Sequence, residues 1–223
     1  MYDRIALVVR SYNRPEYLRA TLTSLLQSDI HLCHERLVYD DASESKDLAN
    51  VLRDPKLVSV PNKTFRVLRG TQNQGCQASF STALRCLSST STMVCILDND
   101  VVVRPDFIQR LCAGYTEAWT LYGTHRMLLT GFNPTNAHLN VVKTFDLIYR
   151  KRTCGGVHLF FSRQFLPYVL TQWARKLDWG LVEQMERDNV PLLCLKQGAL
   201  NHVGRQGLFS SDERHDHDAS FSL

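Results

Sequence analysis

The apolar segment Met93-Val94-Cys95-Ile96-Leu97 runs directly into Asp98-Asn99-Asp100. Residues two apart on an extended backbone project to the same side, so this strand end delivers two carboxylates to one point. Such a pair suits a hard divalent cation, which takes oxygen ligands and keeps room for phosphate oxygens. The plainer use is as loop acids capping the next helix. Asp40-Asp41 closes an earlier run, Leu37-Val38-Tyr39, where an Asx-turn or a cap shared with Ser43 is the ordinary alternative to a binding role. Tyr12 and Arg14 follow the first apolar run. An aromatic face there can stack on a nucleobase and an arginine can reach a phosphate, although both residue types are also common on plain surfaces. Asn73-Gln74-Gly75 is a frequent turn. Asp178 opens a helical pattern, as an N-cap or, if it faces a pocket, as a general base. His202 is either a loop histidine or the neutral nitrogen completing a metal site begun by Asp100. Arg205, three residues later, is a candidate for a diphosphate. The run His215-Asp216-His217-Asp218 reads as solvated tail.

These groups need a scaffold, and the first hundred residues repeat one rhythm. A short apolar run is followed by a polar turn and then by a helical pattern. Ile5–Val9 reads as a strand buried on both faces, and Leu18, Leu22, Leu25 and Leu26 follow at helical spacing. Asn13, Pro15 and Glu16 resemble a helix start with a capping box. Further strands are expected at Leu37–Tyr39, Phe65–Leu68 and Met93–Leu97, with helices through Leu48 and Leu52, over Ala78–Leu87, and from Pro105-Asp106 onward. Alternation at this pitch implies right-handed βαβ units and a mostly parallel sheet covered by helices. Polar clusters at the strand ends then gather along the carboxyl edge, where such sheets bind ligands. From about Ala118 the rhythm breaks. Strands at Met127–Thr130, Leu139–Thr144, Val157–Phe161 and Leu192–Leu195 are expected, with helices at Arg163–Thr171 and Trp179–Arg187. The organisation is therefore a single α/β domain: residues 1–117 carry the polar strand ends, 118–209 form a mixed half, and 210–223 form a mobile polar tail.

Composition sets the outer bounds. The chain has 223 residues, 44% hydrophobic and 22% charged, which is enough for one core without staples. Its +4 net charge comes from 26 Lys+Arg against 22 Asp+Glu, too small an excess to argue for duplex nucleic acid but suited to an anionic small ligand. Seven cysteines at irregular spacing, with no C-x-x-C pair, read as free thiols of a reducing, cytoplasmic compartment. No stretch approaches the roughly 18 apolar residues of a membrane span.

In order along the chain, Val8 through Pro15, Val38 through Ser43, Asn73-Gln74-Gly75 and Leu97 through Asp100 with Pro105-Asp106 form a familiar series. The chain resembles the GT-A-fold glycosyltransferases, most closely the large inverting family two. The resemblance covers the first hundred or so residues and continues through Cys154-Gly155-Gly156, Asp178 and His202-Val203-Gly204. It implies that Arg10, Ser11 and Tyr12 line a nucleoside pocket with Tyr12 against the base, and that Asp41 accepts a hydrogen bond from the base imide. Asn73 to Gly75 would lie near nucleoside and sugar. Asp98, with Asn99 beside it, would approach the ribose or a water on the metal, and Asp100 would bind Mn2+ or Mg2+ with His202. The metal set is thus Asp100, His202 and Asp98. Gly155 and Gly156 would let backbone approach the sugar, Arg14 and Arg205 would face the diphosphate, and Asp178 matches the catalytic base. Two positions depart from the family pattern: Leu177 precedes Asp178 where an acidic residue is usual, and Arg10 stands where a small polar residue is commoner.

The implied activity is metal-dependent transfer of a hexose-type sugar, with inversion, from a UDP-type nucleotide donor to a hydroxyl of a glycan or other acceptor. Choice of sugar and acceptor falls to the irregular stretch Tyr122–Arg152. Two other functions fit some of the same residues. Asp98 and Asp100 match the pattern of a haloacid-dehalogenase-like phosphatase, with Asp98 as nucleophile, although no acidic pair follows on a later buried strand. A glycan- or nucleotide-binding module without turnover would keep the scaffold alone.

Overall fold

The computed structural model describes residues 4–135, 138–205, 216–218 and 221. In chain order the elements are β1 (Ile5–Ser11), α1 (Pro15–Gln27), β2 (Cys33–Asp40), α2 (Lys46–Arg53), α3 (Pro55–Val58), β3 (Arg66–Arg69), α4 (Gly75–Arg85), β4 (Met93–Asp98), β5 (Val101–Val103) and α5 (Phe107–Tyr122). There follow β6 (Leu128–Thr130), β7 (Val141–Thr144), β8 (Ile148–Lys151), β9 (His158–Ser162), α6 (Leu166–Arg187), β10 (Leu192–Leu195) and β11 (Leu200–His202).

Nine strands form one sheet in the order β3-β2-β1-β4-β9-β6-β10-β8-β7. Strands β1 to β4 pair parallel, as the alternating pattern requires, whereas β9, β8 and β7 join antiparallel. The central strand β1 is buried along its whole length, which explains its continuous apolar run. Helices cover both faces. Leu18, Leu22 and Leu25 of α1 pack against one, and Phe80, Ala83 and Leu84 of α4 against the other, with Trp173 of α6. This is the single mixed α/β domain expected from the sequence.

Several local expectations change. Asn13 does not cap α1, which has no side-chain cap. It sits at φ 44°, and its side chain accepts from the Glu44 and Ser45 amides at 2.9 and 3.3 Å, tying the β1 turn to the β2 turn. The start of α5 is held from a distance: Asp29 accepts from the Ile108 and Gln109 amides at 2.8 and 2.9 Å, while Asp106 pairs with Arg110. The two expected helices near residues 163–187 are one run interrupted at Lys176 and Leu177, the latter at φ 53° and ψ −142°. That break re-aims the chain immediately before Asp178.

Three short strands escaped the sequence pattern: β8, β5 and β11. The last two form a separate antiparallel ribbon in which Val101 faces His202. The free edge of β5 is satisfied by α1. Thr21 Oγ1 donates to the Val101 carbonyl at 2.8 Å and accepts from its amide at 3.2 Å, and Ser24 Oγ accepts from the Val103 amide at 3.2 Å. Hydroxyls thus replace a neighbouring strand.

The expected tail also differs where it is described. Asp218 is buried, its amide donates to Asn201 Oδ1 at 2.9 Å, and the His217 carbonyl accepts from the Thr135 amide at 2.9 Å. Residues 216–218 therefore pack back on the domain, because Asn201 and Thr135 offer partners for their backbone. His215 and residues 206–214 lie outside the described residues.

Candidate active site

The ribbon solves the problem of bringing a residue of position 202 to one of position 100. Pairing of His202 with Val101, and the bond from the Val203 amide to the Asp100 carbonyl at 2.8 Å, fix the register. His202 Nε2 then lies 3.2 Å from Asp100 Oδ2, both side chains being buried. Gly204 follows because a Cβ there would run into the Asp100 carboxylate and the Arg14 guanidinium. Arg14 Nη1 reaches the same Asp100 oxygen at 2.5 Å. Burial pushes the Asp100 carboxyl upward, but the hydrogen bond and charge of His202, with those of Arg14, outweigh it and hold the group below the usual carboxylate range. The reciprocal effect raises His202 against the pull of burial.

These residues fit a divalent cation in one specific respect. Asp100 Oδ1 is buried and accepts no hydrogen bond, an uncommon state for a carboxylate oxygen. Among the described residues no group of three His, Cys, Asp or Glu side chains forms a complete cage. Two protein ligands plus phosphate oxygens are what Mg2+-type sites at substrate phosphates commonly use.

Asp98 behaves differently from Asp100. Arg10, from β1, holds its carboxylate in an ion pair. Arg10 is 7% exposed, donates to the Cys76 carbonyl at 3.0 Å, and has its guanidinium 5.1 and 5.7 Å from the rings of Phe80 and Trp173. Arg10, expected to line a nucleoside pocket, is enclosed here and anchors Asp98. Asn99 is likewise turned inward, its amide donating to Ser11 Oγ at 3.3 Å with both residues buried. Those two residues brace the end of β1 against the turn that follows β4.

Asp41 and the Asn73–Gly75 turn meet at the carboxyl edge of the sheet. Asp41 accepts from the backbone amides of Gln74 (3.1 Å) and Gly75 (3.0 Å), joining the end of β2 to the start of α4. Asn73 Oδ1 accepts from the Gly75 amide at 2.7 Å, and Gly75 holds φ 76°, a conformation that favours glycine. Tyr12 is 39% exposed at the end of β1, open to a planar ligand. Arg205 is exposed, and its amide donates to the Tyr17 hydroxyl at 3.2 Å.

Asp178 stands at the restart of α6, its Oδ1 accepting from the Trp179 amide at 3.0 Å. Burial raises its carboxyl above the usual range, which suits a proton acceptor near neutrality. Gly156 is packed against it: a Cβ there would lie 3.1 Å from the carboxylate. The glycine pair expected to admit a sugar thus admits Asp178 at Gly156, while Gly155 faces the ring of Phe132. Sequence reading missed His138, whose charge opposes the rise at Asp178 and which lies near Trp179, at 6.1 Å between ring centroids. It also missed Tyr17 and Thr21. The only signals were a Val101-Val102-Val103 run and the alternation of Leu200-Asn201-His202.

The sheet is parallel from β3 to β4 and mixed beyond, with an acid–histidine ribbon at its carboxyl edge. The model of glycosyl transferase family 2 matches residues 6–161, and the chain belongs to that family. No curated protein matches the sequence. Among solved structures, a mannosyltransferase from Pyrobaculum calidifontis in complex with GDP-Man and Mn2+ is 17% identical, with a TM-score of 0.63 over 85% of this chain and 53% of its own. GalNAc-T7 with UDP, GalNAc and Mn2+ gives 0.69 at 13% identity, over 91% and 43%. Residues 1–349 of TarS from S. aureus give 0.61 at 15%, over 88% and 59%. These likenesses show the fold, and the chain spans about half the length of these structures. Membership displaces the phosphatase alternative, whose nucleophile Asp98 is in any case held by Arg10. No helix among the described residues is long and apolar enough to cross a membrane, and all seven cysteines are free.

Proposed function

We propose that this chain is a metal-dependent, inverting glycosyltransferase domain. It moves a hexose-type sugar from a nucleotide donor, UDP-linked by preference, to a hydroxyl of a glycan or other glycoconjugate acceptor. The observation that carries the reading is the meeting of Asp100 and His202 at the carboxyl edge, with one Asp100 oxygen buried and unpartnered. Mn2+ complexes of the mannosyltransferase and of GalNAc-T7 on the same fold support a divalent ion here, Mn2+ or Mg2+. The free thiols suit the cytoplasmic location expected from the sequence.

In this reading Asp100 and His202 hold the cation, with Asp98 nearby, and a bound cation supplies charge stabilisation to the departing diphosphate. The nucleoside lies against Tyr12, with Asp41 and the Asn73–Gly75 turn beside the base, and Arg14 and Arg205 approach the diphosphate. Asp178 takes the proton from the acceptor hydroxyl. The acceptor oxygen bonds to the anomeric carbon as the bond to the diphosphate breaks on the opposite face, inverting that carbon. The raised Asp178 carboxyl and its backing by Gly156 support the base role. A panel of nucleotide sugars, scored for Mn2+-dependent hydrolysis, tests the donor reading without an acceptor. Hydrolysis of none of them, with no nucleotide-induced thermal shift in Mn2+ or Mg2+, overturns it.

A further inference from the structure

Asp178 stands directly after a backbone break, and such a break is costly to hold. Lys176 (φ −158°, ψ 45°) and Leu177 (φ 53°, ψ −142°) both leave the helical region inside α6. A residue with a branched side chain keeps so positive a φ only where its surroundings fix it. Helix carbonyls in the last turn before a break also lose the amides four residues on.

The structure meets both demands from α4. Gln77 Nε2 donates to the Ala174 carbonyl, in that last turn of α6. A carbonyl can only accept, which fixes the orientation of the Gln77 amide. Phe80, one turn further along α4, stacks on Trp173 with ring centroids 3.7 Å apart and planes 9° apart. Beyond the break, Gly180 admits the close return of the chain: a Cβ there would lie 2.9 Å from the Gln172 carbonyl oxygen. Phe80 and Trp173 are buried and belong to the core, whereas Gln77 is exposed. Removing its amide therefore takes away a hydrogen bond to α6 and little packing.

The place of Gln77 in α4 matters as much as its partner. That helix begins at Gly75, whose amide Asp41 holds at 3.0 Å, so Gln77 lies in the first turn after the Asn73–Gly75 corner. One short stretch of chain is thus tied to β2 at one end and to the broken helix at the other.

We propose that Gln77 is a positioning residue for Asp178, fixing the break in α6 from the first turn of α4 and so holding the base in register with the donor side. The inference rests on the function proposed above and deepens it. A base displaced by about an ångström loses much of its rate, while a nucleotide held by other residues keeps its affinity.

The test uses the full chain and two variants. Gln77→Met keeps the side-chain length without a donor, and Gln77→Lys restores a donor. The measurements are UDP affinity in Mn2+ by calorimetric titration, hydrolysis of the nucleotide-sugar panel in Mn2+, and backbone hydrogen exchange over residues 174–181. Water takes the acceptor's place in the hydrolysis, and Asp178 takes its proton. Gln77→Met should lower kcat about tenfold or more, with UDP affinity unchanged and exchange at Asp178 and Trp179 faster. Gln77→Lys should recover most of the rate and the slow exchange. An unchanged kcat, an equal loss of UDP affinity, or no recovery with lysine overturns the inference while leaving the donor reading standing. If the native chain hydrolyses none of the panel and binds no UDP, the donor reading itself fails. Exchange then still decides whether Gln77 holds the break, and an unchanged rate at Asp178 and Trp179 overturns that too.

Discussion

Thr21→Val probes the strut that positions the acid–histidine pair. Thr21 is fully buried, and its hydroxyl both donates to and accepts from Val101, the residue paired with His202. Valine keeps the branched shape but removes the hydroxyl, so a buried amide and a buried carbonyl of β5 lose their partner. Each stranded group costs roughly 1–3 kcal/mol, and relief from burying the hydroxyl offsets part of this, leaving a net loss of about 2–4 kcal/mol. For a domain of this size that lowers Tm by roughly 5–15 °C. Thr21→Ser is the control: it keeps the hydroxyl and loses one buried methyl, worth about 1 kcal/mol. Urea unfolding and calorimetric melts of the three proteins give the comparison. A valine variant melting within about 1 °C of the native chain, or above the serine variant, would refute the claim that hydroxyls hold this strand.

Three further substitutions read other parts of the account. His158 is fully buried and accepts from the Gly131 amide at Nδ1, 2.9 Å away; burial pulls its pKa down to about 3. Unfolded histidine takes its proton near pH ~6.5, so stability present at neutral pH falls by about 1.4 kcal/mol per pH unit as pH drops through that window. His158→Gln should flatten that slope in urea titrations at pH 7, 6, 5 and 4, and an unchanged slope sinks the assignment. Asp178→Asn should abolish transfer while raising Tm at neutral pH, because a carboxyl whose folded pKa is raised loses its stabilising contribution as pH climbs through that value. The Tm gain should vanish below about pH 4, where the native carboxyl is also neutral, and a Tm decrease at pH 7 would contradict the burial argument. Gly156→Ala sets a Cβ 3.1 Å from the Asp178 carboxylate and should lower kcat about tenfold or more with nucleotide affinity unchanged; unchanged kcat removes Gly156 from the base's support.

The parallel half was legible because buried β-branched runs, polar strand ends and helical spacing all agree on one architecture. The joining of Asp41 to the Asn73–Gly75 turn and of Asp100 to His202 followed the order of motifs, which no single spacing would have supported. What was illegible is non-local. The three-residue strands β5 and β11 are too short for periodicity, and their edge is completed by Thr21 and Ser24 from a helix eighty residues earlier. Asn13 looked like a cap for its own helix and instead serves the next turn, because φ 44° turns its side chain toward Glu44 and Ser45. Arg10 was expected at a nucleoside pocket, and nothing near it in sequence signals its enclosure. Only the packing of Phe80 and Trp173, from two separate helices, encloses it.

The central claim is that Asp100 and His202 hold a divalent cation against the donor's diphosphate. Anomalous diffraction at the manganese edge, from crystals grown with UDP and Mn2+, addresses it directly. The account expects one manganese peak bonded to Asp100 Oδ and His202 Nε2, touching the diphosphate. Ordered UDP with no manganese between those two side chains and the diphosphate would contradict it.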